Sequence, residues 1–178
     1  VFQKNGGAIY YLNLSADSHT LGGSSFAQII NKVGEKAPDV KDIDLFKRAF
    51  DAIQELINND KLAAGHDIAS GGLITTLLEM CFAETSLGAE LDMSKIGESD
   101  LIKLLFSENT GVIIQAKDES GEEVLNSFEI PFYKIGEVTN TPELKIKNNS
   151  VELGLNISSL RDTWFKTSYL LDEKQTAK

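Results

Sequence analysis

The stretch of this chain best suited to chemistry is a single acid followed by a run of small residues. Asp67 precedes Ile-Ala-Ser-Gly-Gly-Leu, so one carboxylate lies next to a small-residue turn with paired glycines. Apolar residues lead into it and a helical pattern begins at Leu73, which predicts the order strand, turn, helix. Backbone N–H groups and a helix N-terminus can converge on a phosphate in such a turn, and the carboxylate could hold a bridging Mg²⁺. The alternative is a purely structural turn, since such turns are common.

Three other side chains near this turn could take part in chemistry. His66 beside Asp67 suggests an acid–base pair, but neighbours in a strand point to opposite faces, so we predict that the two do not share a site. Glu79 lies on the polar face of the following helix and is expected to be a solvated acid. Cys81, the only cysteine, lies in an apolar helical run, which predicts a buried thiol.

Residue counts limit the other classes of site. A zinc site needs three or four His, Cys or acidic ligands in proximity, whereas the chain has two histidines and one cysteine without metal-type spacing. The patterns Gly-x-x-x-x-Gly-Lys-Ser/Thr and Gly-x-Gly-x-x-Gly, which bind nucleotides, are both absent. Counting leaves a Ser–His–Asp triad open, but there is no Gly-x-Ser-x-Gly elbow.

The charge of the chain argues against nucleic acid and anionic membranes as partners. There are 27 acidic and 17 basic residues, a net charge of −10, and affinity for either partner comes largely from Lys and Arg.

No segment approaches the roughly 18 apolar residues of a membrane-spanning helix, and no signal peptide is visible. A single cysteine cannot form an internal disulfide, which favours a cytoplasmic protein. Because the chain starts at Val1 in structured-looking sequence, we expect a piece of a longer protein.

Hydrophobic periodicity predicts strands that alternate with helices along most of the chain. The predicted strands are the run leading into Asp67, residues 7–14, 88–93, 112–116 and 132–138, and a hairpin of 144–147 and 151–155 turned by Asn148-Asn149. The predicted helices are 26–33, 42–58, 72–84, 99–105, 120–128 and 157–171. This order indicates an α/β fold with a mixed β-sheet flanked by helices. We predict an α/β domain over residues 1–155, followed by a terminal helix and the start of a linker over 156–178.

Two of these helices carry apolar positions that need a partner surface. In 42–58 the apolar residues keep helical spacing, which predicts one buried face made of Leu45, Phe46, Phe50, Ile53, Leu56 and Ile57. In 157–171, Trp164, Phe165 and Tyr169 allow two interpretations. They either cover this domain's own sheet or are exposed here and buried by a neighbouring domain of a longer chain.

Four stretches, in the same order, resemble one known family, the phosphoribosylformylglycinamidine synthases. Ala-Gly-His-Asp-Ile-Ala-Ser-Gly-Gly-Leu (64–73) resembles their His-Asp-x-Ser-Asp-Gly-Gly-Leu. Leu-Gly-Gly-Ser-Ser-Phe-Ala-Gln (21–28) resembles their Leu-Gly-(Gly/Ala)-Ser-x-x-Ala-Gln, and Leu-Phe-Ser-Glu-Asn-Thr-Gly-Val-Ile-Ile-Gln (105–115) resembles their Leu-Phe-x-Glu-x-x-Gly-x-x-Ile-Gln. Leu-Arg-Asp-Thr-Trp (160–164) resembles the helix that links the last synthase domain to the glutaminase domain in the large, single-chain form.

The resemblance implies a C-terminal-type domain of the aminoimidazole ribonucleotide synthetase superfamily, which is α/β and packs beside an N-terminal-type domain. The family's whole enzyme uses ATP and Mg²⁺ to activate the amide oxygen of formylglycinamide ribonucleotide. Ammonia released from glutamine by a glutaminase domain then displaces phosphate. The large form has two such domain pairs, one catalytic and one that holds a nucleotide for structure. The helix around Trp164 places this chain in the second pair, which implies a ligase fragment that is inactive alone and has no catalytic residue.

Carried onto this sequence, the resemblance makes Asp67 a Mg²⁺ ligand beside the phosphates of ATP or ADP. The turn residues Ala69, Ser70, Gly71 and Gly72 would lie near phosphate oxygens. Ala69 stands where the family often has Ser, and Ser70 where it often has Asp, so a hydroxyl and a carboxylate differ near the anion. Loss of a carboxylate there would also reduce repulsion of the phosphates.

The partners that the resemblance implies are the preceding N-terminal-type domain and the following glutaminase domain of the same parent chain. Two alternatives stay open. One is another enzyme of the superfamily, such as aminoimidazole ribonucleotide synthetase or a hydrogenase-maturation protein of similar fold. The other is a scaffold domain whose Gly71-Gly72 turn binds nothing. The roles of His66, Glu79 and Glu108 are left unassigned.

Overall fold

The computed structural model describes residues 1–176, and in these residues it has one mixed sheet of seven strands. The strands are β1 (Ile9–Asn13), β2 (Leu62–Asp67), β3 (Gly88–Asp92), β4 (Gly111–Ala116), β5 (Tyr133–Thr139), β6 (Glu143–Asn148) and β7 (Val151–Asn156). The helices are α1 (Ser25–Ile29), α2 (Ile43–Asn58), α3 (Gly72–Phe82), α4 (Leu101–Phe106), α5 (Ser120–Ser127) and α6 (Ile157–Thr176). The strand order is β2-β4-β1-β5-β3-β6-β7, with β3 parallel to β6 and the other neighbours antiparallel. The predicted α/β class with a mixed, helix-flanked sheet is confirmed.

Strand β1 lies near the centre of the sheet and is buried on both faces. Ile9 and Tyr11 belong to the core that the sheet forms with α3, α4 and the start of α6. Tyr10 and Leu12 belong to the core on the other face, beneath α2 and α5. This alternation follows from the two-residue period of a strand. Helices therefore cover both faces of the sheet around β1.

Helix α2 begins after Asp42, whose carboxylate accepts a hydrogen bond from the Leu45 backbone N at 2.8 Å. Its buried face consists of Leu45, Ala49, Ala52 and Leu56. The predicted face was wrong for Phe50 and Ile57, whose side chains are 51% and 54% exposed. The reason is that the two alanines complete a stripe at helical spacing and let the helix lie close to the sheet, so the larger side chains fall beside it.

Helix α1 is shorter than predicted, since it ends at Ile29 rather than at Val33. The chain leaves the helix through Asn31 and Gly34, which have left-handed φ values of 54° and 78°. Ile29 and Val33 are 81% and 68% exposed, so neither finds a core to pack against. Their apolar character made the helix look longer than the packing supports.

Helix α6 follows β7 without an intervening residue and runs past the predicted end at residue 171. Its first residue, Ile157, is fully buried, and Leu160 packs against the same core as α3. The start of the terminal helix is thus part of the core of the domain. Neither α6 nor any other helix within residues 1–176 is long and apolar enough to cross a membrane.

Candidate functional site

The turn between β2 and α3 has a backbone that requires its two glycines. Gly71 and Gly72 have φ values of 91° and 75°, in the left-handed region that favours glycine. A Cβ atom on Gly72 would lie 2.8 Å from the carbonyl oxygens of Leu105 and Ser107, and one on Gly71 would overlap the side chain of Thr75. The backbone conformation and the close packing therefore explain why glycine occupies both positions, whether or not a ligand binds.

Asp67 is the last residue of β2, and its side chain is 80% exposed. Ile68, the next residue, is buried, whereas Ala69 and Ser70 after it are exposed. The carboxylate therefore faces solvent at one end of the sheet rather than the interior of the domain. The structure thus places three of the predicted site residues, Asp67, Ala69 and Ser70, together at the same solvent-exposed end of the sheet.

His66 and Asp67 lie together, contrary to the prediction from strand alternation. The imidazole Nδ1 of His66 donates a hydrogen bond of 2.7 Å to the carbonyl oxygen of Asp67 and lies 3.5 Å from its carboxylate Oδ1. The alternation fails here because β2 ends at Asp67, so the ring can fold back over the last peptide. The other ring nitrogen, Nε2, lies 3.5 Å from Oε2 of Glu79. Glu79 is only 33% exposed, so the expectation of a solvated acid was wrong in part.

Whether a divalent ion could bind at this end of the sheet depends on the donor groups present there. Among residues 1–176, no three His, Cys, Asp or Glu side chains form a group that could hold a metal ion. Mg²⁺ commonly takes one or two carboxylates, with phosphate oxygens and water completing its shell. The exposed carboxylate of Asp67 fits such a partial set, and further ligands would have to come from a phosphate or another domain.

The amides of the two glycines already have partners within the domain. The N–H of Gly72 donates to the carbonyl oxygen of Ala69 at 3.0 Å, and the N–H of Gly71 donates to Oε1 of Glu108 at 2.8 Å. A bound phosphate would have to compete for these donors or use others. Asp67 and Ser70 therefore present the accessible polar side chains of the turn.

Glu108 is the residue of this region whose role sequence reasoning missed. Its Oε1 accepts a second hydrogen bond from the backbone N of Ser25, also at 2.8 Å, so one oxygen bridges Gly71 and Ser25. Partial burial favours the neutral acid, but the hydrogen bonds from Ser25 and Gly71 outweigh it and hold the pKa of Glu108 below its usual value. The signal in the sequence was an acid in the third of the family-like stretches, residues 105–115, but nothing in that stretch indicates its partners, which lie 83 and 37 residues away.

Asn109 fixes a third loop to the same segment. Its side chain is 1% exposed. Its Nδ2 donates to Oγ of Ser15 at 3.0 Å and to the carbonyl oxygens of Asp17 and Ser18 at 3.4 and 3.2 Å. Residues 108 and 109 thus hold together the loop after β1, the start of α1 and the turn before α3.

A second histidine, His19, lies beside a cleft of about 300 Å³ that Tyr133 and Glu98 also line. Its Nε2 is 3.2 Å from the hydroxyl of Tyr11. Burial lowers the pKa of His19, and the charge of Glu98 opposes this shift. A larger cleft of about 560 Å³ lies on β3, β5, β6 and β7, at the far edge of the sheet from β2. Neither cleft is lined by residues of the turn after Asp67.

Residues 4–148 match the family described as "AIR synthase related protein, C-terminal domain". The matched range contains every strand from β1 to β6 and the turn after Asp67. The chain therefore belongs to this family, as the sequence motifs predicted.

Two curated relatives carry the name of the enzyme whose motifs the sequence resembles. The chain is 36% identical over 173 residues to the probable phosphoribosylformylglycinamidine synthase, chloroplastic/mitochondrial, of Arabidopsis thaliana. It is 32% identical over 176 residues to the phosphoribosylformylglycinamidine synthase of Homo sapiens. Each match covers 95% of this chain but only 12% and 13% of the two relatives, so the chain spans a small part of their length.

The fold also matches a solved structure. The superposition on T. maritima PurL complexed with ATP has a TM-score of 0.65 and covers 90% of this chain and 26% of the other. The two sequences are 14% identical over it. At that identity the likeness establishes the shared fold.

Proposed function

We propose that this chain is a domain of a phosphoribosylformylglycinamidine synthase, from the second, nucleotide-holding pair of synthase domains. The observation that carries the proposal is the 36% identity to the Arabidopsis synthase across 95% of this chain. The parent enzyme would be a carbon–nitrogen ligase of purine biosynthesis that uses ATP and takes its nitrogen from glutamine. In this proposal the domain has no catalytic residue and is inactive alone.

The domain would contribute one side of a nucleotide site. Asp67 would supply a carboxylate ligand to Mg²⁺, and Ala69 and Ser70 would face the phosphates of ATP or ADP, with Gly71 and Gly72 shaping the turn. Exposure supports this role, because the side chain of Asp67 is 80% accessible at the end of β2. Mg²⁺, when bound, neutralises phosphate charge and needs only one or two protein carboxylates. The remaining contacts would come from the preceding N-terminal-type domain.

The following glutaminase domain would also account for an exposed apolar surface on α6. Trp164 contacts Phe82, with ring centroids 6.0 Å apart, yet it remains 51% exposed. Phe165 and Tyr169 on the same helix are 53% and 66% exposed. This exposure supports burial by the following glutaminase domain over the alternative in which these rings cover the domain's own sheet.

The proposed compartment is the cytoplasm, on the ground of a single unpaired cysteine. The printed name of the Arabidopsis relative places that protein in chloroplasts or mitochondria. Fractionation of cells that express the natural protein in full would decide between cytoplasm and organelle.

Calorimetry with Mg-ADP on the natural protein in full tests the nucleotide proposal. Asp67→Asn should weaken Mg-ADP binding by roughly tenfold or more, because a carboxylate ligand is lost. Ser70→Ala should weaken it less, by about fivefold at most, since a hydroxyl contributes at most one neutral hydrogen bond of about 1 kcal/mol. Equal affinity of the wild type and Asp67→Asn would refute Asp67 as a metal ligand. Turnover of formylglycinamide ribonucleotide with ATP and ammonia by this chain alone would refute its assignment to the non-catalytic pair.

A scaffold domain that binds nothing is the second candidate, and one observation favours it. The N–H groups of Gly71 and Gly72 both have partners inside the domain, so neither of these donors needs an anion. A scaffold would show no heat of Mg-ADP binding that depends on Asp67. If the chain instead came from another enzyme of the superfamily, such as aminoimidazole ribonucleotide synthetase, its parent gene would lack a downstream segment that encodes a glutaminase domain.

A further inference from the structure

We propose that Glu108 is a positioning residue that joins the start of α1 to the turn before α3, and thereby sets where Asp67 and Ser70 meet a ligand. This inference rests on the proposed function for its link to nucleotide. The junction itself is observed directly: one carboxylate oxygen, Oε1, accepts from the backbone N of Ser25 and from that of Gly71, both at 2.8 Å. These partners lie 83 and 37 residues from Glu108 in sequence.

The backbone on either side of Glu108 is fixed, so the carboxylate has little freedom. Ser107 is 2% exposed, and its N–H donates to the carbonyl oxygen of Lys103 at 3.0 Å. Asn109 is 1% exposed and is bonded to the loop after β1. A side chain anchored between two buried residues holds its acceptor at a defined place. The position of Gly71 is therefore set from the 107–109 segment.

Two packing contacts bring the joined elements to the same segment independently of the hydrogen bonds. The rings of Phe26 in α1 and Phe106 have centroids 4.7 Å apart. On the other side, Gly72 lies so close to the carbonyl oxygens of Leu105 and Ser107 that a Cβ would approach both within 2.8 Å. The turn and α1 thus each lie against residues 105–108, with the Glu108 carboxylate between them.

The charge of Glu108 has a consequence for the ligand. A carboxylate already accepts from the Gly71 N–H, so a phosphate oxygen would have to replace it to use that donor. The incoming phosphate would then lie against the negatively charged Glu108 carboxylate, and the repulsion between these like charges makes such a replacement unfavourable. A phosphate is therefore directed to the outer edge of the turn, where Asp67 and Ser70 are exposed. Glu108 acts on the ligand through Gly71 and needs no contact with it.

The test compares Glu108→Gln and Glu108→Ala with the wild type in the natural protein in full. Glutamine keeps an oxygen that can accept both N–H groups, whereas alanine leaves both without their acceptor. We expect Glu108→Ala to weaken Mg-ADP binding by roughly tenfold, a size typical of partners that orient a ligand, and Glu108→Gln to restore most of the affinity. The matched control is Glu123→Gln, the same change of charge on exposed α5 at the opposite face of the sheet. It should bind Mg-ADP like the wild type.

A second readout does not depend on nucleotide. Hydrogen–deuterium exchange should rise together in the peptides that contain Ser25 and Gly71 in Glu108→Ala, with a smaller rise in Glu108→Gln and none in Glu123→Gln. If only one of the two peptides changes, the junction is refuted. If both change but Glu108→Ala binds Mg-ADP like the wild type, the positioning role is refuted and a structural one remains. If the wild type binds no Mg-ADP, the proposed function fails and so does the link to a ligand, while exchange still decides whether Glu108 joins the two elements.

Discussion

The Nδ1 atom of His66 lies 2.7 Å from the carbonyl oxygen of Asp67 and 3.5 Å from its carboxylate Oδ1. A carbonyl oxygen only accepts, so Nδ1 carries the proton of this bond. The ring therefore holds the last peptide of β2, next to the acid that we propose as a metal ligand. The alternation of strand faces predicts that His66 lies outside the site, whereas its ring supports the backbone of Asp67 there.

Replacement of His66 by Ala should weaken Mg-ADP binding by about threefold, because one net hydrogen bond that orients Asp67 is lost. Calorimetry on the natural protein in full measures this change. Glu79→Gln is the control, since it alters the partner of Nε2 but leaves the bond from Nδ1 to Asp67 intact. An equal loss in both variants would show that the charge around the ring matters, and not its bond to the backbone.

Gly72→Ala should destabilise the domain far more than Gly23→Ala. Both glycines have left-handed φ values, 75° and 76°, so each change carries about 1 kcal/mol of backbone strain. At Gly72 the new Cβ would also lie 2.8 Å from two carbonyl oxygens, whereas nothing lies within 4 Å at Gly23. Overpacking adds about 1–3 kcal/mol. Urea unfolding monitored by circular dichroism measures both, and equal losses would contradict the close packing of the turn against residues 105–107.

The pH dependence of stability should be smaller in Glu108→Gln than in the wild type. The pKa of Glu108 is lowered in the folded domain because Ser25 and Gly71 donate to its carboxylate and outweigh the effect of burial. Its contribution to stability is therefore complete above the unfolded-state pKa, about 4.3, and is lost as the pH falls through the lower folded-state value. Urea midpoints at a series of pH values from neutral into this acidic range measure the slope. An unchanged slope would mean that this carboxylate is not stabilised by the two N–H groups.

Cys81 should be unreactive in the folded domain. The thiol is 2% exposed in α3, as predicted, and burial raises its pKa to about 12, so the reactive thiolate is scarce at neutral pH. A disulfide reagent such as dithiobis(nitrobenzoate) should label it only after denaturant is added. Since the chain has one cysteine, complete labelling corresponds to one thiol. Rapid labelling without denaturant would show that α3 opens readily.

Features carried by short stretches of sequence were predictable. The apolar run around Cys81 correctly predicted a buried helix, because hydrophobic periodicity reflects which residues are buried. The hairpin itself was predictable from turn chemistry, but its turn lies one residue later than expected. Asn148 still pairs with Val151 in the ladder, so Asn149 and Ser150 form the turn, and Asn149 has a left-handed φ of 55°. His66 was misjudged because the rule of alternating faces applies inside a strand and not at its last peptide.

The sequence by itself determined the alternation of strands and helices, the α/β class and the family, because periodicity, turn residues and ordered motifs are local properties of the chain. Only the tertiary structure decided the order of the strands, the use of Ala49 and Ala52 as the buried face of α2, and the meeting of Glu108 with Ser25 and Gly71. The physical reason is distance along the chain. Hydrogen bonds between residues 37 and 83 positions apart exist only after the sheet has brought their loops to one end, and no local pattern encodes which loops those are.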